Sequence, residues 1–384
     1  MALKIKPARF PLRQGNEFEV LVNGRQFFPA MLAAIESANH YICLEMYLAS
    51  SGIIMDKFIQ VLSAAAQRGL QVHLLLDDFG ARRLLPKDRN RLSRGGVDMA
   101  FYNPVRYRKW VDNFARDHRK LLIVDGEQAF VGGAGLTDAF MQDYSRSDSW
   151  RETMIRIRGP VLQDWLQVFR ESWRKTGRKF PSFSANENIR AQGAGGQVLI
   201  TRGPGRKDIQ RVLLRQIRQA QYNVWLSTAY FIPARSLRVA LRRAAQQGVD
   251  VRLLLPGRRT DHPAVRYAGR RFYTRLLRDG VRIYEYGPRM LHSKVVLVDD
   301  WCTVGSSNFD RWNLRWNLEA NQAIEGADLA AQLRDMFEVD FKASGVIDWR
   351  QWQRRGVLER LLEFWWARVG QWLYRFGAYR KFPG

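Results

Sequence analysis

At 384 residues the chain is long enough for two domains or one large duplicated one, and its 46% hydrophobic content leaves disorder aside. Its 62 lysines and arginines against 37 acidic residues give a formal charge of +25, which suits a polyanionic partner, either nucleic acid or an anionic membrane. The two cysteines, Cys43 and Cys302, sit in separate apolar runs and exclude a disulfide framework, so a reducing compartment fits. No window approaches the roughly 18 uncharged apolar residues of a spanning helix. The opening MALKIKPARFPLRQGNEF lacks the apolar core of a signal peptide, so the expectation is a soluble or surface-attached protein.

In chain order, FEVLVNGRQFF alternates around Asn23-Gly24 and predicts a hairpin, after which Pro29 opens a helix. YICLEMYL reads as a strand, Met55 to Arg68 as a helix closed by Gly69, and LQVHLLLDD as a second strand. A basic helical segment from Arg82 to Arg94 leads to the short strand GGVDMAFYNP. The alternation predicts an α/β sheet with parallel strands. The second half repeats the order. Ile209 to Ala220 is helical, NVWLSTAYFIP a strand, Leu241 to Gly248 the end of a helix and VDVRLLLPG a strand. AAAQRGLQVHLLLDD matches AAQQGVDVRLLLPG, and GGVDMAFYNP matches DGVRIYEYGP. An offset of about 175–180 residues suits two fused copies of one domain rather than a solenoid. The expected units are 1–180, 197–350 and a tail at 351–384, joined through the Gly-, Ser-, Asn- and Gln-rich stretch from Gly177 to Gly196. The first copy carries extra residues from Val105 to Asp117.

Each copy delivers the same chemistry. His118-Arg119-Lys120 is followed by Leu121 to Val124, Asp125 and Gly132-Gly133; His292-Ser293-Lys294 by Val295 to Val298, Asp299 and Gly305-Ser306. A histidine and a lysine two apart share one face of an extended chain. Cleaving a phosphodiester needs a nucleophile, an acid for the leaving alkoxide and cations for the remaining oxygens. Two histidines and two lysines can supply all of these without a metal. A lone His-x-Lys is usually incidental; two at matching places in a repeat are not. His40, His73 and His262 lack that context and read as core or surface residues, with His262 in a loop that could border the site.

The duplicated H-x-K-x4-D pattern with a downstream Gly-Ser turn resembles the phospholipase D superfamily. NGRQFFPAML, DHRKLLIVDG and HSKVVLVDDWCTVGSSNFD are similar to bacterial cardiolipin synthases of the short, type B-like form without N-terminal spans. The resemblance implies two tandem α-β-α sandwich halves with pseudo-twofold symmetry, packed face to face around one shared active site. It implies His118 as the nucleophile that becomes phosphatidylated and His292 as the acid and then base. Lys120, Lys294, Asn308 and Ser306 are implied phosphate ligands, with no metal and no cofactor. Asp125 and Asp299 belong to the catalytic motif, although their places within it suit a structural job. Glu152 (SWRETM) and Glu319 (WNLEAN) match the family's histidine-orienting carboxylates and would serve equally as partners for arginines. Glu45 matches an acidic family position without an assigned role, and Tyr230 and Phe231 match residues near the family's pocket.

Two departures stand out. Gly135 occupies the place where the family carries Asn, which removes half of an amide pair and shifts weight to Asn308. The second motif is also one residue shorter between Asp299 and Gly305, as a tighter hairpin would be. In the tail, Leu358, Leu361, Leu362, Trp365, Val369, Trp372, Leu373 and Phe376 recur on one helical face among arginines. That pattern fits a helix lying in a membrane surface, or one packed on the protein or a second copy. The expected activity is phosphatidyl transfer from phosphatidylglycerol to a second lipid, giving cardiolipin, with phosphatidylethanolamine as another candidate substrate. Its expected place is peripheral, on the cytoplasmic side of the bacterial inner membrane. The rivals are phospholipid hydrolysis at the same residues and a nuclease; the Trp-rich tail disfavours nucleic acid.

Overall fold

The computed structural model describes residues 7–106, 112–141, 149–185, 193–202, 205–309 and 316–357, then 359, 361, 363–366 and 368. The first half runs β1 (Arg13–Val22), α1 (Gly24–Glu36), β2 (Tyr41–Met46), α2 (Ile53–Gln67), β3 (Gln71–Asp77), α3 (Pro86–Arg94) and β4 (Asp98–Tyr102). It continues with β5 (Lys120–Val124), β6 (Gln128–Gly132), β7 (Thr153–Arg158) and α4 (Leu162–Arg174). The second half runs β8 (Ala194–Arg202), β9 (Arg206–Lys207), α5 (Asp208–Gln219), β10 (Asn223–Ser227), α6 (Arg235–Gln246) and β11 (Asp250–Pro256). Then come α7 (Pro263–Arg270), α8 (Tyr273–Arg278), β12 (Arg282–Tyr286), β13 (Val295–Val298), β14 (Trp301–Gly305) and β15 (Leu318–Glu325). The helix α9 (Ala327–Lys342), the edge strand β16 (Ser344–Val346) and the short helix α10 (Trp349–Gln353) complete the order.

The expected hairpin at Asn23-Gly24 does not form. Asn23 does turn the chain, at φ 66°, but the turn leads into α1, with Pro29 inside the helix. Phe27, Phe28, Met31, Ala34 and Ile35 are buried at helical spacing, and that buried face outweighs the local turn signal. β1 instead pairs antiparallel with β7 and β8.

The sheet is mixed, so the parallel strands expected from the alternation of elements make up only part of it. β2, β3 and β4 are parallel, as are β10, β11 and β12, because helices cross over between them. β5, β6 and β7, like β13, β14 and β15, are antiparallel, since tight turns join β5 to β6 and β13 to β14. The strand order β12-β11-β10-β13-β14-β15-β8 meets its mirror β1-β7-β6-β5-β2-β3-β4 at the β1–β8 pair, with β16 added outside β12. The halves are therefore continuous edge to edge as well as packed on one another. β8 starts inside the stretch expected to be only a joint.

Three apolar cores result from this arrangement. One packs the helices α1 and α2 on the first half, and another packs α5, α6 and α8 on the second. The third is shared: Leu121, Ile123 and Ile155 meet Val295, Val304 and Ala320, with Trp165 and Trp173 of α4 and Phe337 of α9 closing it. No helix among the described residues is long and apolar enough to cross a membrane. Of the expected tail helix, Leu358, Leu362, Val369, Trp372, Leu373 and Phe376 lie outside the described residues. Leu361 and Trp365 are described and are 58% and 65% exposed, while Glu363 between them is buried against Arg355 and Arg270.

Candidate active site

The two histidines meet because each lead-in segment is stitched to the other half. The His118 amide donates to the Leu318 carbonyl (3.0 Å), and the Leu318 amide to the Arg116 carbonyl (2.9 Å). In the mirror arrangement the His292 amide donates to the Arg151 carbonyl (2.8 Å), and the Arg151 amide to the Met290 carbonyl (2.8 Å). The residue after each stitched position is a glutamate, so the carboxylates cross over. Glu319 of the second half takes His118 Nδ1 at 3.1 Å, and Glu152 of the first half takes His292 Nδ1 at 2.6 Å. Neither half can orient its own histidine.

Both glutamates are fixed in turn. Ser306 Oγ donates to Glu319 Oε2 (2.5 Å) and accepts from the Ala320 amide (3.1 Å). Glu152 Oε1 accepts from the Thr153 amide at 2.8 Å. Neighbouring Arg151 is buried and grips both oxygens of Asp340 on α9, at 3.1 and 2.7 Å. With Nδ1 held by a carboxylate, Nε2 of each imidazole faces the chemistry, and at His292 the Lys294 Nζ stands 2.7 Å from Nδ1 and 3.1 Å from Nε2. Tyr47 packs edge-on against His118 with ring centroids 4.6 Å apart, and Trp150 lies 5.1 Å from the His292 ring.

The lysines are buried beside the histidines. Lys120 donates to the His118 carbonyl and lies 5.1 Å from the centre of the Tyr47 ring. Lys294 donates to the His292 carbonyl and lies 3.5 Å from Glu152 Oε2. Burial strips water from all four cations-in-waiting and lowers their pKa values. It brings Lys120 down to about 7 against the pull of Glu319, with Lys294 adding to the fall. Lys294 falls for the same reason, opposed by Glu152. His118 is lowered by burial although Glu319 pulls it back up, and His292 falls well below the ordinary range through burial and the neighbouring Lys294. Burial also raises Glu152, countered by Lys294. Before substrate binds, both imidazoles are neutral at pH 7, the form a nucleophile needs, and an arriving anion favours the charged form of Lys120.

Asp125 and Asp299 do not join this cluster, which corrects their expected place among the catalytic residues. Each stands at the far end of its strand, at φ 54° and 51°. Asp125 accepts from the amides of Asn39, His40 and Tyr41, and Asp299 from those of Gln221, Tyr222 and Asn223. They tie the start of β2 and of β10 to the hairpin beside it. The second hairpin turns in two residues, Asp299 and Asp300, where the first takes three.

Asn308 is fully buried, and its Nδ2 has no hydrogen-bond partner among the described residues. Gly135 has a steric cause. A Cβ there would stand 2.5 Å from the Leu48 carbonyl oxygen, so no asparagine fits. Gly133, the counterpart of Ser306, lies against Glu152, whose Oε2 would have to move because a Cβ there would stand 2.2 Å from it. Glu45 is buried on the other face of β2, 3.3 Å from Arg119 Nη1, and burial raises its pKa well above the carboxylate range. It partners a buried arginine rather than the histidines.

Above the histidines opens a pocket of about 530 Å³. Its wall includes Arg82, Phe79 and Phe114 from the first half, and Tyr230, Asp261 and His262 from the second. His262 therefore borders the site as expected, whereas His73 is buried against Trp173 and 3.2 Å from Asp98. Tyr230 lines the pocket and Phe231 is core. Reading the chain alone overlooked Tyr47, Trp150, Asp261 and the Arg151–Asp340 pair. Only the tryptophans shortly before both glutamates, Trp150 and Trp316, were a signal in plain view.

A family model described as "Cardiolipin synthase, PLD-like domain" matches residues 31–173 and 213–341. The chain is 33% identical over 371 residues to a cardiolipin synthase of Geobacillus kaustophilus (strain HTA426), covering 94% of this chain and 74% of the relative. It is 36% identical over 339 residues to cardiolipin synthase B of Escherichia coli (strain K12), covering 84% and 80%. Among solved structures it is similar to phosphatidylserine synthase of Haemophilus influenzae Rd KW20, with TM-score 0.68 and 15% identity over 97% of this chain and 96% of that one. Polyphosphate kinase from Porphyromonas gingivalis is similar with TM-score 0.59 and 16% identity, over 85% of this chain and 47% of that one.

Proposed function

The chain belongs to the cardiolipin synthase family of phospholipase D-like proteins, and on that premise we propose that it is a phosphatidyltransferase making cardiolipin through a phosphatidyl-histidine. The observation that carries the mechanism is the crossed pair of Nδ1–carboxylate bonds, His118–Glu319 and His292–Glu152. His118 Nε2 attacks the phosphorus of phosphatidylglycerol, and glycerol leaves with a proton from His292. A second lipid's hydroxyl then returns its proton to His292 and attacks the phosphorus, so an O–P bond forms and the N–P bond breaks. Lys120, Lys294 and the Asn308 amide, which has no partner among the described residues, hold the non-bridging oxygens, and Lys120 gains charge as the anion enters. The same anion raises His292, which loads the acid with its proton.

The partner surface is an anionic bilayer, with phosphatidylglycerol as donor and phosphatidylethanolamine as a second substrate. Phe79, Val105 and Phe114 stand 39–47% exposed around the pocket mouth, with Arg82 beside them. Exposed Leu361 and Trp365 offer a second apolar contact. These features support a peripheral position on a membrane surface, and the side we propose is the cytoplasmic face of the bacterial inner membrane.

Quenching the wild type in denaturant during turnover on phosphatidylglycerol vesicles and weighing the intact protein tests the reading. The expected result is an adduct of phosphatidyl mass that maps to His118, with cardiolipin and glycerol as products. Undiminished cardiolipin formation by His118→Ala overturns it.

A further inference from the structure

The floor of the site is close to symmetric; its walls are not. β3 and β11 are equivalent strands, each parallel to the strand that precedes it in its half. Counting the same number of residues beyond Asp77 and Pro256, where they end, leads to Arg82 on one wall and Asp261 on the other. Both line the pocket, with opposite charge. On the first-half wall Arg82 lies 4.4 Å from the centre of the Phe79 ring, and Arg116 stands nearby. On the second-half wall Asp261 is held by Tyr230, whose hydroxyl donates to Oδ2 at 2.6 Å, with His262 Nε2 3.7 Å from the same oxygen. Oδ1 makes no hydrogen bond among the described residues, and the side chain keeps 23% of its surface open.

A carboxylate is a poor neighbour for a phosphodiester. The negative phosphate is favoured on the arginine wall and repelled from the aspartate wall. An alcohol is the reverse case: its hydroxyls donate well to a carboxylate that a tyrosine keeps in place. Asp261 also belongs to the half that supplies His292, the base for the acceptor hydroxyl. Its negative charge offsets part of the burial cost on His292 and Lys294. We infer that Asp261, held by Tyr230, is the subsite for the acceptor headgroup, binding the hydroxyls of a polyol such as glycerol next to His292. The inference rests on the transferase reading above and adds where each group sits: the leaving glycerol and the acceptor that replaces it occupy the Asp261 wall in turn, and the phosphatidyl portion of the donor lies toward Arg82.

The test uses the full chain on phosphatidylglycerol vesicles, measuring cardiolipin against phosphatidic acid, with free glycerol as a soluble acceptor in a second series. Asp261→Asn keeps the shape and removes the charge. It is expected to lower the ratio of transfer to hydrolysis by about tenfold and to raise the KM for glycerol, since a charge-assisted bond to a hydroxyl becomes a neutral one. Tyr230→Phe moves both readouts the same way by less, and Asp261→Glu restores part of the ratio. A structural role alone would lower turnover without changing product partition or the glycerol KM. Wild-type partition and wild-type glycerol KM in Asp261→Asn overturn the subsite. A wild type that yields phosphatidic acid alone overturns the transferase reading, and the acceptor subsite with it.

Discussion

The two halves repeat a fold but not a job. On the floor each contributes a histidine, a lysine and a carboxylate, and the carboxylate serves the other half's histidine. Behind the glutamates the copies diverge. The second uses Ser306 to hold Glu319, while the first presses Glu152 against Gly133. The second keeps Asn308, while in the first the Leu48 carbonyl leaves no room for it. At the rim the first half brings arginines and exposed phenylalanines, the second Asp261, Tyr230 and His262. Duplication thus supplies paired machinery, and divergence at the edges makes its two ends unequal. A reaction that keeps a phosphatidyl group on one side of the phosphorus and exchanges alcohols on the other needs that inequality.

The strongest way to break the comparison is to disable one crossed carboxylate at a time. Glu319→Gln and Glu152→Gln keep volume but remove the acceptor that fixes each Nδ1. Each is expected to lower kcat by about 10²–10⁴, the range for losing a positioned acid–base partner. Single-turnover measurement separates them. Glu319→Gln, which acts on His118, should slow formation of the phosphatidyl-enzyme most. Glu152→Gln should slow both its formation and its transfer to the acceptor. If Glu319→Gln instead slows both steps and Glu152→Gln mainly the first, the nucleophile is His292 and the assignment of roles reverses.

A milder pair of variants asks whether the motif aspartates are equivalent in the two copies. Asp125→Ala and Asp299→Ala each remove a carboxylate that accepts from three backbone amides. Either is expected to cost about 1–3 kcal/mol of stability, the penalty for leaving such donors without a partner. Chemical denaturation measures that cost, and kcat of the folded fraction should stay within a few-fold. A loss of kcat as large as that of the glutamate variants would return these aspartates to the catalytic set.

The repeat, the His-x-Lys pairs and most strands could be read from the chain because each is local: short apolar runs, glycine stops and two-residue spacing. α1 was misread for a local reason too, since Asn23 turns the chain equally well into a strand or a helix. Crossed orientation could not be read at all. Its partners are 201 and 140 residues apart, and only the pairing of Leu318 with Asp117 and Arg151 with Leu291 brings them together. Glu152 and Glu319 were identifiable as residue types, but which histidine each serves depends on how the halves dock. Asp261 escaped notice because it sits in a loop whose only marker is its distance from a strand end.

The smallest expected effect probes the two lysines. Burial puts Lys120 near 7, whereas in an unfolded chain it titrates near 10.4. Between those values the unfolded chain holds a proton that the folded, unliganded site does not. Stability therefore rises with pH across that window, and the cost of keeping Lys120 charged is fully present only below about 7. An anion that needs the charged lysine binds best below 7 and loses up to about tenfold in affinity per pH unit above it, until Lys120 stops contributing. Glycerophosphoglycerol is a suitable probe because a phosphodiester keeps one charge throughout. Calorimetric titration from pH 6 to 9 should give this decline in the wild type and a flatter, weaker profile in Lys120→Met. Lys294 lies against Glu152, which resists its deprotonation, so Lys294→Met should weaken binding while leaving the slope above pH 7 in place. A slope that survives Lys120→Met and vanishes with Lys294→Met would move the neutral-pH titration to the second half and invert the electrical asymmetry of the floor.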